Sequence, residues 1–422
     1  MLVKLWVDNQ NLAMHTTADV FARSAGLAGL ISAYLALVQV VLLARLPILE
    51  RLAGFDRLTH WHRWNGHLCI DLVIVHVVLQ IQGYSMPTHR SFTGEFWQMV
   101  GKGAFPGMIT ATAGTVLLIA VAWSSFTIAR RHLPYELWFV VHLTAYAGIA
   151  LAWFHEIPTG GDLNPTFHPN AAWYWRGLFI ATLVAIAYRV LAPFASAFRY
   201  QLRVAEVIPE GSGVTSIRIT GRKLDRLKAR PGQFFIWRFL THGHWWTAHP
   251  FSLSAAPDGR SFRITAKAAG DHTSRMGRIP VGTRVVAEGP FGDFTELARR
   301  RAKVLLVAGG IGITPVRALL ERMDGDVVAI YRVINQDDVV FADELAELEQ
   351  RRGVKVRYVV GDHATPEGRN LLSPEHLREL VPDLAERDVY LCGPPAMIEV
   401  TEQRLRHAGV HRRRLHIERF AI

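Results

Sequence analysis

Residues 55–76 read FDRLTHWHRWNGHLCIDLVIVH, and residues 135–155 read YELWFVVHLTAYAGIALAWFH. About 20 apolar residues cross a bilayer as a helix, and both stretches qualify despite their histidines. His62 and His76 lie 14 residues apart in the first, His142 and His155 lie 13 apart in the second. At 1.5 Å per residue these intervals rise about 21 Å and about 19.5 Å. Ionisable side chains inside spanning segments are costly, which makes them functional candidates. If the two helices run the same way, each offers one imidazole near each membrane face. Matched depths suit two haem irons, one above the other, each between two neutral rings. Direction supports this unevenly: fourteen residues return a side chain to within about 40° on an ideal helix, whereas thirteen leave it about 140° away. Helix geometry therefore supports the first pair and only tolerates the second. A lone histidine on an apolar face is usually a satisfied core residue; four at matched depths are harder to explain that way.

Outward from these two stretches, five segments of the first 199 residues are long and apolar enough to span: about 24–46, 63–84, 105–127, 135–155 and 173–194. The alternative is a set of buried helices in a large soluble domain. Cytoplasmic connections concentrate Lys and Arg. Here Arg45, Arg51, Arg57 and Arg63 crowd the first connection, Arg130 and Arg131 the third, and Arg199 and Arg203 follow the last span. The connections at 85–104 and 156–172 hold only Arg90 and Lys102. This pattern puts everything after residue 195 in the cytoplasm and the N-terminus outside. The first 23 residues lack the apolar core of a cleaved signal peptide and read as part of the mature chain.

Composition narrows the class. The chain has 422 residues, is 50% hydrophobic, and carries 47 Lys and Arg against 36 Asp and Glu, a net charge of +11. That apolar load excludes a disordered protein. Residues 1–199 hold 13 basic and 9 acidic residues, against 34 and 27 in the remainder, so the charged fraction roughly doubles after the midpoint. No basic stripe with interleaved aromatics occurs, so nucleic acid is not an expected partner; anionic membrane lipid is the simpler one. Two cysteines, Cys69 and Cys392, cannot build a disulfide framework, a zinc site or an iron–sulfur cluster, and no Cys-x-x-Cys-His occurs for covalent haem.

From about residue 200 the pattern becomes short alternating strands. Residues 201–207, 214–219, 233–239, 262–267 and 284–288 read as an antiparallel barrel. From 303 onward strands alternate with helices, implying a parallel doubly wound sheet; its strands are Lys303–Ala308, Val327–Tyr331, Val354–Val360 and Asp388–Leu391. The expected organisation is a transmembrane dihaem domain at 1–199, a barrel domain at 200–300 and an α/β nucleotide domain at 301–422.

The two histidine-bearing stretches resemble the ferric reductase/NADPH oxidase transmembrane family, which holds two b-type haems by paired histidines at these same spacings. The resemblance implies that His62 and His142 bind the inner haem iron, and His76 and His155 the outer one. Arg23, in ARSAGL, matches a family arginine near the outer haem, or it is a membrane-edge anchor. Asp71 lies between the two levels, as a hydrogen-bonded bundle residue or as part of a proton route. The family usually has six helices, and five are visible here.

The second half resembles the ferredoxin-reductase-like domains of the same family. HPFSLSAAP (249–257) is similar to its flavin-binding strand, with His249 and Pro250 leading Phe251, which packs on the flavin, and Ser252, which bonds the N5 edge. KAAGDHTSRM (267–276) is similar to the pyrophosphate segment, where Lys267 supplies charge, Gly270 a close backbone approach and Thr273 a helix-start hydroxyl. VLLVAGGIGITPV (304–316) is a buried strand, a glycine turn and a helix start. There Gly309, Gly310 and Gly312 let backbone amides approach a phosphate, Thr314 adds a hydroxyl and Pro315 suits the first helical turn. A glycine turn alone is weak evidence; joined to CGPPAM (392–397) it is strong. By resemblance Cys392, Gly393 and Pro394 sit beside the nicotinamide, and Phe420 of the terminal HIERFAI covers the flavin. Arg332, after Val327–Tyr331, occupies the place of the 2′-phosphate ligand, which favours NADPH while leaving NADH possible.

The resemblance thus implies a plasma-membrane, multi-pass oxidoreductase with its FAD and NAD(P) domains in the cytoplasm. Electrons would pass from NADPH through FAD and two haems to a small acceptor across the membrane, O₂ or a ferric chelate. Two other readings stay open: an electron-donating subunit for a membrane or extracytoplasmic protein, and a membrane-anchored diaphorase without haem. The sequence does not fix the oligomeric state.

Overall fold

The computed structural model describes residues 2–8, 14–101, 105–126, 132–133, 135–159, 169–245 and 247–419. Arg130, Arg131, Phe420 and most of the 156–172 connection lie outside these. The chain divides into two compact units, Met1–Val190 and Leu191–Ile422.

In the first unit, long helices α1 (Thr17–Leu42), α2 (Phe55–Thr88), α3 (Met108–Ser125) and α4 (Tyr135–Thr159) are followed by α5 (Pro169–Tyr200), which runs on into the second. Five helices, one in each of these, are long and apolar enough to cross a membrane. Thr16 starts α1 with a reciprocal cap: its hydroxyl accepts the Asp19 N–H, while the Asp19 carboxylate accepts the Thr16 N–H at 2.9 Å. Small residues let helices approach closely, as membrane bundles require. A Cβ on Gly114 of α3 would stand 2.7 Å from the Gly148 carbonyl oxygen of α4, so these two helices pack backbone to backbone.

The second unit begins with six antiparallel strands: β1 (Arg203–Gly211), β2 (Val214–Thr220), β3 (Phe234–Phe239), β4 (His249–Ser252), β5 (Ser261–Lys267) and β6 (Val285–Phe291). They form two sheets, β1-β2-β5 and β4-β3-β6. Bridges Arg203–Arg284 and Leu253–Ile264 join the sheets at both edges and close a barrel. Its interior is filled by Ile217, Phe235, Trp237, Leu253, Phe262 and Ile264.

The remainder is a parallel sheet in the order β11-β10-β7-β8-β9, built from β7 (Lys303–Gly309), β8 (Asp326–Val333), β9 (Lys355–Val360), β10 (Asp388–Gly393) and β11 (Leu415–Arg419). Helices α6 (Ile313–Leu320), α7 (Ala342–Arg352) and α8 (Pro395–His407) connect strands. Alternation along β7 separates two cores: Val304 and Leu306 pack with Leu319 and Leu345, while Leu305 and Val307 pack with Ile398 and Leu405. A central strand buried on both faces explains why VLLVA reads as an unbroken apolar run. The sequence reading anticipated the five spans, the barrel and the doubly wound sheet. It ended the first and last barrel strands at 207 and 288, whereas β1 runs on to Gly211 and β6 to Phe291.

Candidate functional site: histidine pairs and nucleotide motifs

In the membrane unit His62 and His142 face each other with ring centroids 6.1 Å apart, and His76 and His155 with centroids 6.4 Å apart. His142 and His155, whose 13-residue spacing helix angles only tolerated, thus each still meet a ring of α2. Nδ1 of His62 lies 3.1 Å from the Gln39 carbonyl oxygen, and Nδ1 of His76 lies 2.8 Å from that of Ala25. A carbonyl can only accept, so each Nδ1 donates and each Nε2 keeps its lone pair for a ligand. Room for this comes from Gly29, where a Cβ would meet Nδ1 of His76 at 2.6 Å. His155 hydrogen-bonds the backbone of Pro106, and His142 Nδ1 is 3.4 Å from Ser125 Oγ.

These distances test whether the residues suit haem. With metal–nitrogen bonds of about 2 Å on each side, two imidazoles on one iron put their centroids about 6 to 6.5 Å apart. Both pairs fall in that interval, and both members on α2 carry the outer hydrogen bond that fixes a ligand's tautomer. The residues fit the group. Arg23 lies two residues before Ala25, at the level of the His76 pair. Asp71 makes no hydrogen bond or ion pair among the described residues and is exposed, so it is not a hydrogen-bonded bundle residue. Nine residues from His62 put it about 180° around the helix, on the face turned from the rings.

In the second unit, β4 carries His249, Pro250, Phe251 and Ser252 in register with Trp237, Ile236, Phe235 and Phe234 of β3. The Trp237 indole donates to the Phe251 carbonyl at 3.1 Å, which ties the strand down. The other flavin motif comes to meet it. His249 lies against His272 with ring centroids 3.8 Å apart, and His272 Nδ1 is 3.2 Å from His244 Nδ1. Burial above all, then the neighbouring histidines and Arg275, pushes His272 down to about 3. Burial also lowers His244, so both rings stay neutral. His244 and His272 had no signal in the sequence beyond being histidines near a motif.

Thr273 Oγ1 accepts the N–H groups of Ala269 and Gly270 at 2.9 and 3.1 Å, closing the turn of the pyrophosphate segment. A Cβ on Gly270 would meet nothing within 4 Å, so the space beside it is open. Lys267 pairs with Asp338 at 3.0 Å.

The glycine turn has separate reasons for its residues. A Cβ on Gly309 would strike Met397, Gly310 sits at φ +52°, and a Cβ on Gly312 would lie 2.4 Å from the Cys392 carbonyl oxygen. Thr314 Oγ1 donates to the Ile311 carbonyl at 3.0 Å and Pro315 is buried in the first turn of α6. Cys392 stands in register between Ala308 of β7 and Glu418 of β11. Its thiol is fully buried, and burial, with Glu418 adding to it, pushes it well above its ordinary range. Gly393 packs on Gly309, and Pro394 caps α8. Glu418 was missed in the sequence, since only the β10–β11 register brings it beside Cys392. Arg332 donates to the Val333 carbonyl and, at 3.4 Å, to that of Val359. Burial lowers Arg332 while the nearby Asp362 carboxylate counters it. Asp362 follows β9, so no reading of the Arg332 strand alone could find it.

Three family profiles match this chain: a ferric reductase like transmembrane component over residues 28–153, an FAD-binding domain over 200–295 and an oxidoreductase NAD-binding domain over 306–403. The matched domains thus follow one another as a ferric reductase-like transmembrane part, an FAD-binding domain and an oxidoreductase NAD-binding domain. Among curated proteins the chain is similar to the ferredoxin reductase component of 3-ketosteroid-9-alpha-monooxygenase of Mycolicibacterium smegmatis, 31% identical over 52% of this chain and 65% of that one. It is also similar to the flavohemoprotein of Vibrio cholerae, 30% identical over 40% of this chain and 45% of that one. The chain thus spans less than two thirds of the length of these relatives. Among solved structures, the FAD/NAD binding domain of nitric oxide dioxygenase from Vibrio cholerae is 26% identical, with a TM-score of 0.44, over 52% of this chain and 98% of that one.

Proposed function

We propose that this oxidoreductase moves electrons from NADPH, by way of FAD and two b-type haems, to an acceptor across the plasma membrane, O₂ or a ferric chelate. The observation that carries the reading is the two histidine pairs, at ring separations of 6.1 and 6.4 Å. Bound FAD would supply the exchange between two-electron and one-electron chemistry, and bound haem iron would supply one-electron chemistry.

The chain's own residues then have these tasks. His62, His142, His76 and His155 would hold the haem irons, with the Gln39 and Ala25 carbonyls fixing the rings of His62 and His76. Phe251 and Ser252 would seat the flavin, and the rings of His244, His249 and His272 line the junction of its two motifs. Gly310 and Gly312 with Thr314 hold the nucleotide phosphates at the start of α6. Cys392, with Glu418 beside it in register, would stand next to the nicotinamide. Arg332 reads the 2′-phosphate, with Asp362 beside it setting how strongly. The arginine-rich connections favour a cytoplasmic location for the nucleotide-binding half and contact with anionic lipid.

The test is an anaerobic absorption spectrum of the purified chain before and after NADPH. Flavin bleaching with reduction of b-type haem bands is expected; air and then a ferric chelate rank the acceptors. Flavin bleaching with no haem band would replace this reading by the haem-free diaphorase. Failure of the isolated protein to reduce any small acceptor would favour a protein partner.

A further inference from the structure

Between the flavin strand and the nucleotide helices runs a set of ions, two buried arginines and two half-buried carboxylates, that the reaction itself does not use. Arg263 of β5 and Arg317 of α6 are each only 8% exposed, and both reach Glu344 in the first turn of α7. Arg263 holds the carboxylate in a two-pronged grip, Nη1 to Oε1 at 2.7 Å and Nη2 to Oε2 at 2.9 Å, while Arg317 Nε approaches Oε2 from the other side. The same two guanidinium groups converge on the Ser254 carbonyl, Arg263 Nη2 at 2.9 Å and Arg317 Nη1 at 3.0 Å. Glu321 completes the set, pairing with Arg317 at 2.7 Å and accepting the Ala256 N–H. The face of Phe341, which precedes α7, lies under Arg263 at 4.8 Å.

The anchor points make this more than a stabilising contact. Ser254 is fully buried and two residues beyond Ser252, on the strand end that seats the flavin. Arg317 is three residues beyond Thr314 on the helix that starts at the glycine turn, and Gly312 of that turn is packed on the Cys392 carbonyl. The route from Ser252 to Cys392 thus passes through Ser254, Arg317 and Gly312. Two cations fixed by one carboxylate have a single low-energy arrangement, and a fork-shaped guanidinium fixes direction as well as distance.

We infer that Glu344 is a positioning residue for hydride transfer: by clamping Arg263 and Arg317 together against the Ser254 carbonyl, it sets the approach of the nicotinamide side to the flavin side. This rests on the reading that NADPH reduces flavin in this chain. A displacement of about 1 Å at reacting atoms costs up to about 100-fold in rate, so loss of the clamp should be visible in the chemical step.

The experiment is anaerobic stopped-flow reduction of the flavin in the full-length chain, with NADPH varied. Glu344→Gln keeps the shape but gives one arginine an N–H to face. It is expected to lower the limiting flavin-reduction rate about tenfold or more, with half-saturating NADPH, FAD content and the oxidised spectrum near those of the parent. Glu344→Asp should recover part of the rate. Glu347→Gln, which removes an exposed pair with Arg351 on the same helix, should change nothing. If Glu344→Gln sheds its flavin, Arg317→Lys, which keeps the charge and loses the fork, carries the measurement. An unchanged limiting rate in a flavin-replete variant overturns the inference, as does a rate that falls only in proportion to flavin content. Parent protein that fails to bleach its flavin with NADPH would sink the underlying reading, before any variant is made.

Discussion

On the reading proposed above, the histidine pairs and the glycine turn hold their groups, planar haem and nucleotide phosphates, in opposite ways. In the membrane unit a few polar side chains on apolar helices do the holding, and their neighbours only make room, as Gly29 does for His76. In the nucleotide sheet the holding falls to backbone, and side chains matter chiefly by their absence, as at Gly309 and Gly312. One design is lost when a side chain is removed, the other when one is added.

The largest effect should come from subtraction in the membrane. His76→Ala is expected to remove one haem from the absorption spectrum. Since losing even an outer-sphere partner of a ligand costs 10–100-fold, acceptor reduction should fall roughly 100-fold or more. Flavin bleaching by NADPH should be untouched; a full haem complement would break the comparison at its first term. Addition in the nucleotide sheet comes next. Gly312→Ala pushes a methyl against the Cys392 carbonyl and should destabilise that domain by about 1–3 kcal/mol. Flavin reduction should collapse while dithionite still reduces both haems.

A smaller shift is expected at Arg332, where a side chain does read a ligand on the backbone-built side. Arg332→Asp should turn the NADPH:NADH preference over by about tenfold, comparable to losing one charge-assisted pair. Steady-state rates with both nucleotides check it, and equal use before and after would remove Arg332 from the site. Smallest is a pH effect on folding. His272 is pushed down to about 3 from its usual 6.5, so below pH 6.5 the unfolded chain binds a proton that the folded chain refuses. Stability should therefore fall as pH drops from about 6.5 toward 3. A melting temperature that falls less steeply over this range in His272→Gln is the expected result.

What could be read from the sequence follows the same division. Spans, the two histidine spacings and the glycine motifs are local patterns, each read within one segment, whereas the pairing of the histidines joins two helices. The trio His244, His249 and His272 needs the barrel to close, and Glu418 needs a parallel register to stand beside Cys392. Asp362 reaches Arg332 from a neighbouring strand. Lys267, read as a phosphate ligand from its charge, is paired in the structure with Asp338, more than 70 residues away. Composition near a motif shows that charge is present; only the fold shows what it faces.

One arrangement in the membrane unit has a metrical consequence. His62 meets Gln39, Cys69 meets Ser32, and His76 meets Ala25. The rungs are seven residues apart on both antiparallel helices, α1 and α2, and the residue numbers of each rung sum to the same value. The first helix is therefore a ruler laid against the second, graduated in heptads, with the cysteine–serine rung as its middle mark. A single residue deleted between Ser32 and Gln39 would misalign one end of the scale and leave the other true. The two ends should then be separable in the spectrum by a change that touches no histidine.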